Sequence, residues 1–173
     1  MIPYIYYPEI ELDLEYIKQL VFKNLTRQGS ELLAYQRLVS DDPYMTSLLL
    51  QYPFMSDVYN IYEFSRYIPL PIHVDKNRNC ALNIPVRNSE TSSTVFYTAT
   101  KMVSATFNDN RIYDEIEAEF SEVFRFTMTR PVLLNTSIPH NVLTDERESR
   151  VSLSWSVRPE YTFEQIVDLM SVR

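Results

Sequence analysis

Glycine is nearly missing from this chain. Gly29 stands alone among 173 residues, where average usage of roughly 7% would place about 12. A dinucleotide fingerprint needs three glycines, and a Walker loop or a nucleophile elbow needs two. Phosphate cradling by a glycine-rich loop is thereby excluded, as is the usual α/β-hydrolase chemistry. Gly29 follows Arg27-Gln28 and reads as a helix end. Cysteine is as scarce: Cys80 is the one thiol, so neither an intramolecular disulfide nor a cysteine zinc cluster can form. Cys80 itself is expected to be a small buried hydrophobe. No apolar run approaches the roughly 20 residues of a membrane helix. The start, Met1 to Pro8, has no basic region and no continuous apolar stretch, so no signal peptide is expected and the expected compartment is the reducing cytoplasm. The sequons at Asn24-Leu25-Thr26 and Asn135-Thr136-Ser137 then read as coincidences. Basic charge is short too: 16 Lys and Arg against 23 Asp and Glu leave a formal net charge of −7. General binding to nucleic acid or to an anionic membrane is not expected of such a surface.

What is present describes an ordinary folded domain. The chain is 45% hydrophobic and only 23% charged, so it is long and apolar enough to bury one core. Thirteen Tyr and nine Phe lean toward strands and an aromatic-lined interior. Residues 1–57 read as a mainly helical portion. Leu14, Ile17, Leu20, Val21 and Leu25 fall on one helical face between Leu12 and Gln28, and Asp41-Asp42-Pro43 opens a second helix. From Val58 the texture becomes aromatic and β-branched. Strands are expected at Val58 to Tyr67, Ile72 to Asp75, Cys80 to Val86, Thr94 to Phe107, from Glu122 to Met128, at Pro131 to Val142 and at Arg150 to Val157. Glu115, Glu117, Glu119 and Glu122 read as a solvated face. Asn77, Asn79, Asn88 and Asn108 to Asn110 fall between strands and are expected to supply the left-handed turns that glycine does not. Thr162 to Gln165 has the capping-box pattern, which makes 158–173 a closing helical segment. The expectation is one domain: a helical buttress (1–57), a core of seven to nine strands (58–157) and a final helix.

The two histidines carry the chemistry. His73 and Asp75 are two apart on an expected strand, so imidazole and carboxylate point to one face. His140 follows 65 residues after Asp75. Two histidines and one carboxylate can occupy one face of an octahedral iron and leave three positions open. Ten residues after His140 comes Arg150-Val151-Ser152. Along Arg150 to Val157 one face is Val151, Leu153, Trp155 and Val157, the other Arg150, Ser152, Ser154 and Ser156. The plain reading of that polar face is the wet side of an edge strand. The functional reading is a pocket wall, with Arg150 and Ser152 holding a carboxylate.

In this combination the chain resembles the Fe(II)- and 2-oxoglutarate-dependent oxygenases: His73-Val74-Asp75, then His140, then Arg150-Val151-Ser152. Cys80 to Val86 and Pro139 to Val142 also look like strands of that family, and the resemblance covers roughly Val58 to Val157. It implies a double-stranded β-helix, the jelly-roll core shared with cupins. It implies Fe(II) on His73, Asp75 and His140, with 2-oxoglutarate chelating the metal and its far carboxylate on Arg150 and Ser152. O₂ is the further co-substrate, and succinate and CO₂ are the by-products. Related halogenases lack the carboxylate that Asp75 supplies, so the resemblance points to hydroxylation or another oxidation. Among family members the short chain is most similar to prolyl- and aspartyl/asparaginyl-hydroxylase-like ones, including small ones of phage type. A protein side chain or a small metabolite is the expected substrate class.

Further pocket candidates are Asn83, for 2-oxoglutarate, and Tyr62, Phe96 and Arg78, for substrate. Each has a plainer reading: a strand-edge Asn, two core aromatics and a solvated loop charge. Two other readings of the whole stay open: a cupin-like metal enzyme that uses no 2-oxoglutarate, and a non-catalytic jelly-roll interaction protein.

Overall fold

A computed structural model describes residues 2–25, 33–39, 41–64, 71–99, 104–105, 113–116, 119–144 and 149–172, the side chains of 33–39, 99, 104–105 and 113–116 aside. The three helices begin where polar side chains cap them. Asp13 accepts the Tyr16 N–H at the start of α1 (Leu14–Asn24). Asp42 accepts from Tyr44 and Met45 at α2 (Pro43–Gln51), whose proline sits in the first turn. Thr162 and Gln165 form the expected capping box of α3 (Phe163–Ser171).

The strands are β1 (Ile5–Tyr6), β2 (Leu33–Val39), β3 (Met55–Phe64), β4 (His73–Asp75), β5 (Cys80–Arg87), β6 (Ser92–Ala99), β7 (Ser104–Ala105), β8 (Tyr113–Ile116), β9 (Phe120–Phe126), β10 (Val132–Asn135), β11 (His140–Thr144) and β12 (Arg150–Val157). They make two six-stranded sheets, ordered β1-β10-β5-β12-β3-β2 and β7-β8-β4-β11-β6-β9. Every pairing among them is antiparallel.

Alternation along the strands divides the apolar residues into two clusters. Leu82 and Ile84 of β5, Leu153 and Trp155 of β12, and Tyr59 and Ile61 of β3 pack under Ile17 and Val21 of α1, Met45 of α2, and Ile166 and Val167 of α3. The helices therefore cover the outer face of the first sheet, and the fully buried Trp155 donates its Nε1–H to the Ser56 carbonyl at 2.7 Å. A smaller cluster of Ile5, Val132 and Leu134 with Phe96 and Met128 joins the first sheet to the second. That leaves the alternate residues of β12 facing the space between the sheets.

Several expectations are corrected here. The segment 1–57 contains the strands β1 and β2, and β3 starts at Met55 rather than Val58. β2 pairs with Val58 to Phe64 of β3, from Leu33 opposite Phe64 to Val39 opposite Val58, a long-range pairing that local propensity does not encode. Pro131 to Val142 is two strands in different sheets, because the turn at 136–139 carries the chain from β10 to β11. β12 is no edge strand: it lies between β5 and β3 and its polar face is buried at Arg150, Ser152 and Ser154. Asn88 takes a left-handed backbone, φ 52°, and among the described non-glycine residues it is alone in doing so. Asn77 and Asn79 lie in the bend between β4 and β5 without it. Gly29 and Asn108 to Asn110 lie outside the described residues. Glu119 and Glu122 are exposed, as expected of a solvated face. Among the described residues no helix is long and apolar enough to cross a membrane.

Candidate metal centre

β4 and β11 are neighbours in the second sheet, and their register sets His73 directly opposite His140. Directly opposed residues on one face lie about 5 Å apart, and here the two ring centroids are 4.4 Å apart. Two residues on, Asp75 returns to the same face, and its Oδ1 lies 3.8 Å from His73 Nε2. One ligand atom each of His73, Asp75 and His140 can be chosen so that all lie within 4.8 Å of one another. The two histidines are buried and Asp75 is nearly so.

Both imidazoles are oriented by the carbonyl two residues upstream. His73 Nδ1 is 2.8 Å from the Pro71 carbonyl, and His140 Nδ1 is 2.8 Å from the Ile138 carbonyl. A carbonyl only accepts, so Nδ1 carries the proton and Nε2 the lone pair in each ring. That is the outer support a ligating histidine needs. The sequence did not reveal these partners, though Pro71 and Pro139 beside them hint at stiff backbone. Phe96, opposite His140 on β6, packs its ring 5.7 Å from the imidazole. It is fully buried in the inter-sheet cluster, so it is a wall against His140 and a core residue at once.

The electrostatics suit a cation. Burial, then the neighbouring His140 ring, pushes the His73 pKa down to about 4, against the pull of Asp75 and the Pro71 carbonyl. Burial likewise lowers His140. Both rings are thus neutral and able to ligate at physiological pH. For Asp75 burial acts upward, but Arg78 and the two imidazoles outweigh it and hold the carboxyl below its ordinary value.

This has a consequence for the metal-free chain. Unfolded, His73 takes up a proton near pH 6.5; folded, it does so only near 4. Stability is therefore present in full above about pH 6.5 and falls as the pH drops from there toward 4. Urea unfolding of the metal-free protein should show a lower midpoint at pH 5 than at pH 7, and His73→Gln should flatten that slope. Equal midpoints for the parent protein at the two pH values would contradict the assignment.

Arg78 lies in the bend after β4, and its side chain is only 11% exposed, which overturns its reading as a solvated loop charge. Its Nε donates to Asp75 Oδ2 at 2.6 Å and its Nη1 to Ser154 and Ser156 at 2.9 and 3.1 Å. Those contacts turn the Ser154 face of β12 inward, toward Asp75 and Arg78. By alternation Ser152 and Arg150 share that face. Arg150 sits four residues from Ser154, about 13 Å along the strand, and so beyond the Asp75 carboxylate.

Arg150 is 2% exposed, and neither its Nε nor its Nη1 has a hydrogen-bond partner. Its Cζ lies 5.7 Å from the centre of the Phe64 ring. Burial lowers its pKa to about 10, so it is still a cation at neutral pH. A buried, unpaired guanidinium is costly, and a carboxylate meeting it bidentately removes the cost. Asn83 flanks Ser154 on β5, and its Oδ1 is also buried without a partner. Tyr62 stands beside Ser152 on β3, stacks on Phe64 and brings its hydroxyl to 3.5 Å from Arg78 Nη2. The structure thus gathers Asn83, Tyr62, Arg78, Arg150 and Ser152 on one inward surface beside His73, Asp75 and His140. Ser154 and Ser156 belong to it too, on the polar stripe of β12 that the sequence displayed. Cys80, fully buried on the opposite face of β5 with a thiol pushed up to about 12, takes no part.

No protein-family model matches the chain, and no curated protein matches it. Among solved structures it is similar to vicilin from Corylus avellana (hazelnut), with a TM-score of 0.45 and 11% sequence identity over 87% of this chain. The likeness spans 37% of the vicilin chain, so this chain corresponds to little more than a third of that protein's length.

Proposed function

We propose that the chain is an Fe(II)- and 2-oxoglutarate-dependent oxygenase, a hydroxylase acting on a C–H bond of a protein side chain or a small molecule. The observation that carries this is the unpaired, fully buried guanidinium of Arg150 on the same inward surface as the His73–Asp75–His140 cluster. Two neutral imidazoles and a carboxylate suit a first-row divalent metal. A buried cation beside them asks for an anion, and a dicarboxylate with a keto group satisfies both ends at once. The strand order supports a double-stranded β-helix: β10-β5-β12-β3 of the first six-stranded sheet and β4-β11-β6-β9 of the second make its two sides, and the chain changes sheet at each step from β3 to β6 and again from β9 to β12.

Iron bound there would supply the oxidation, in which 2-oxoglutarate and O₂ become succinate and CO₂ and one substrate C–H becomes C–OH. The residues of the chain have narrower tasks. His73 and His140 present Nε2, held by carbonyls behind them. Asp75 presents Oδ1 and supplies negative charge. Arg150 and Ser152 take the far carboxylate, Asn83 faces the middle of the surface, and Tyr62 and Phe96 wall it against water. Asp75 fills the position that a halide would need, which favours hydroxylation.

The test is spectroscopic. Fe(II) and 2-oxoglutarate added without O₂ should give a visible metal-to-ligand charge-transfer band, and admitting O₂ should release succinate slowly even without prime substrate. Iron binding with neither signal would leave a metal enzyme that does not use 2-oxoglutarate. No metal binding at all would leave an interaction protein.

A further inference from the structure

Arg78 is bound on three sides. Its Nε gives Asp75 Oδ2 the short bond of 2.6 Å, its Nη1 reaches Ser154 and Ser156 of β12, and its Nη2 approaches Tyr62 of β3. Asp75 belongs to the second sheet and the three hydroxyls to the first, so one guanidinium ties the sheets together across the site. Its backbone is held as well: Thr136 Oγ1 donates to the Arg78 carbonyl at 3.2 Å. The Thr136 carbonyl in turn accepts the Asp75 N–H at 3.0 Å.

A carboxylate with one oxygen in a short charge-assisted bond turns only at the cost of that bond, which favours offering a cation the other oxygen alone. The oxygen left over, Oδ1, is the one that faces His73 Nε2 at 3.8 Å. Resting on the reading of His73, Asp75 and His140 as a metal centre, we propose that Arg78 is the positioning residue of that centre. It confines Asp75 to ligation through Oδ1 alone and holds the carboxylate in register with β12, the strand that carries Arg150. A point charge would not serve equally. Lys has no planar fork with which to meet a carboxylate and two hydroxyls together.

Co(II) binding to the purified chain tests this, read as affinity and as the visible ligand-field spectrum. Arg78→Met should weaken Co(II) binding by about 10- to 100-fold, the usual worth of an outer partner of a metal ligand. It should also change the spectrum as the carboxylate becomes free to bind through both oxygens. Arg78→Lys should recover little of either. Because Arg78→Met strands a buried carboxylate and can unfold the chain, Ser154→Ala/Ser156→Ala is the second variant. It loosens the guanidinium while leaving its bond to Asp75, and a several-fold weakening with a partial spectral change is expected. Tighter binding in a folded Arg78→Met would mean that the arginine acts only by repelling the cation, and would overturn the proposal. So would parent-like affinity and spectrum in the folded serine variant. If the parent chain binds no Co(II), it is the metal-centre reading that falls.

Discussion

Arg150→Met should weaken 2-oxoglutarate binding strongly while leaving the metal affinity nearly unchanged. Truncating one partner of a buried charged pair costs about 2–5 kcal/mol, which is roughly 30-fold to several thousand-fold in affinity. Metal affinity should change by less than about 3-fold, because Arg150 lies about 13 Å along the strand from Ser154, the serine that meets Arg78 beside Asp75. The same substitution should stabilise the ligand-free chain. Its guanidinium is 2% exposed with two nitrogens unpaired, and methionine fills similar volume without a charge to bury. A gain of about 1–2 kcal/mol is expected. Titration with 2-oxoglutarate and with Mn(II), beside urea unfolding of the ligand-free protein, reads all three effects. Loss of both ligands together with lost stability would show that Arg150 holds the fold and not an anion. A stabilised variant that still binds 2-oxoglutarate would move the anion site elsewhere.

The proposed metal ligands should separate by their cost to the fold. His73→Ala and Asp75→Ala should each weaken metal binding by more than the 10- to 100-fold that an outer partner is worth. They differ in what they leave behind. Asp75→Ala strands the Arg78 guanidinium, whose side chain is 11% exposed and whose shortest bond is to that carboxylate. Removing one partner of a buried pair costs about 3–5 kcal/mol, or roughly 10 °C in Tm for a chain of this size. His73→Ala deletes a neutral ring and leaves no uncompensated charge, so its metal-free Tm should fall less. Metal titration of both variants with thermal unfolding of their metal-free forms would check this. Parent-like metal affinity in either would remove that residue from the centre. Equal losses of Tm would mean that the Asp75–Arg78 pair is solvated in solution.

These contrasts follow from how much of the site was readable in one dimension. His73 and Asp75 were legible because a strand repeats every two residues, which puts both on one face wherever the strand lies. Arg150 and Ser152 were legible for the same reason, from the strict alternation of polar and apolar residues up to Val157. Alternation cannot say which face is wet. The serine stripe that suits an exposed edge is buried here because β5 and β3 flank β12 and the second sheet lies over it. Arg78 was harder. Three residues after Asp75 in a bend rich in Asn and Lys, it has the local signature of a solvated charge, and only the approach of β12 supplies Ser154 and Ser156 as partners. The imidazole supports were hidden because they are backbone carbonyls, which every residue carries.

The same division runs through the fold. Helix starts at Asp42 and Thr162 were readable because capping is local: a side chain bonds an N–H two or three residues on. β2 and the turn at 136–139 were not, because strand pairing is made with distant residues. The glycine deficit is settled only in part. Asn88 takes the left-handed turn that glycine would have taken, while Asn77 and Asn79 turn the chain without it. By itself the sequence determined which residues share a face and which helix ends are capped, since both depend on neighbours within four positions. The tertiary structure alone decided that His73 meets His140 across β4 and β11, that Arg78 holds Asp75 from behind, and that Arg150 is buried without a partner. Those facts depend on which strands lie side by side, and side-by-side placement is set by the packing of the two sheets and the helices on one of them, not by any stretch of chain alone.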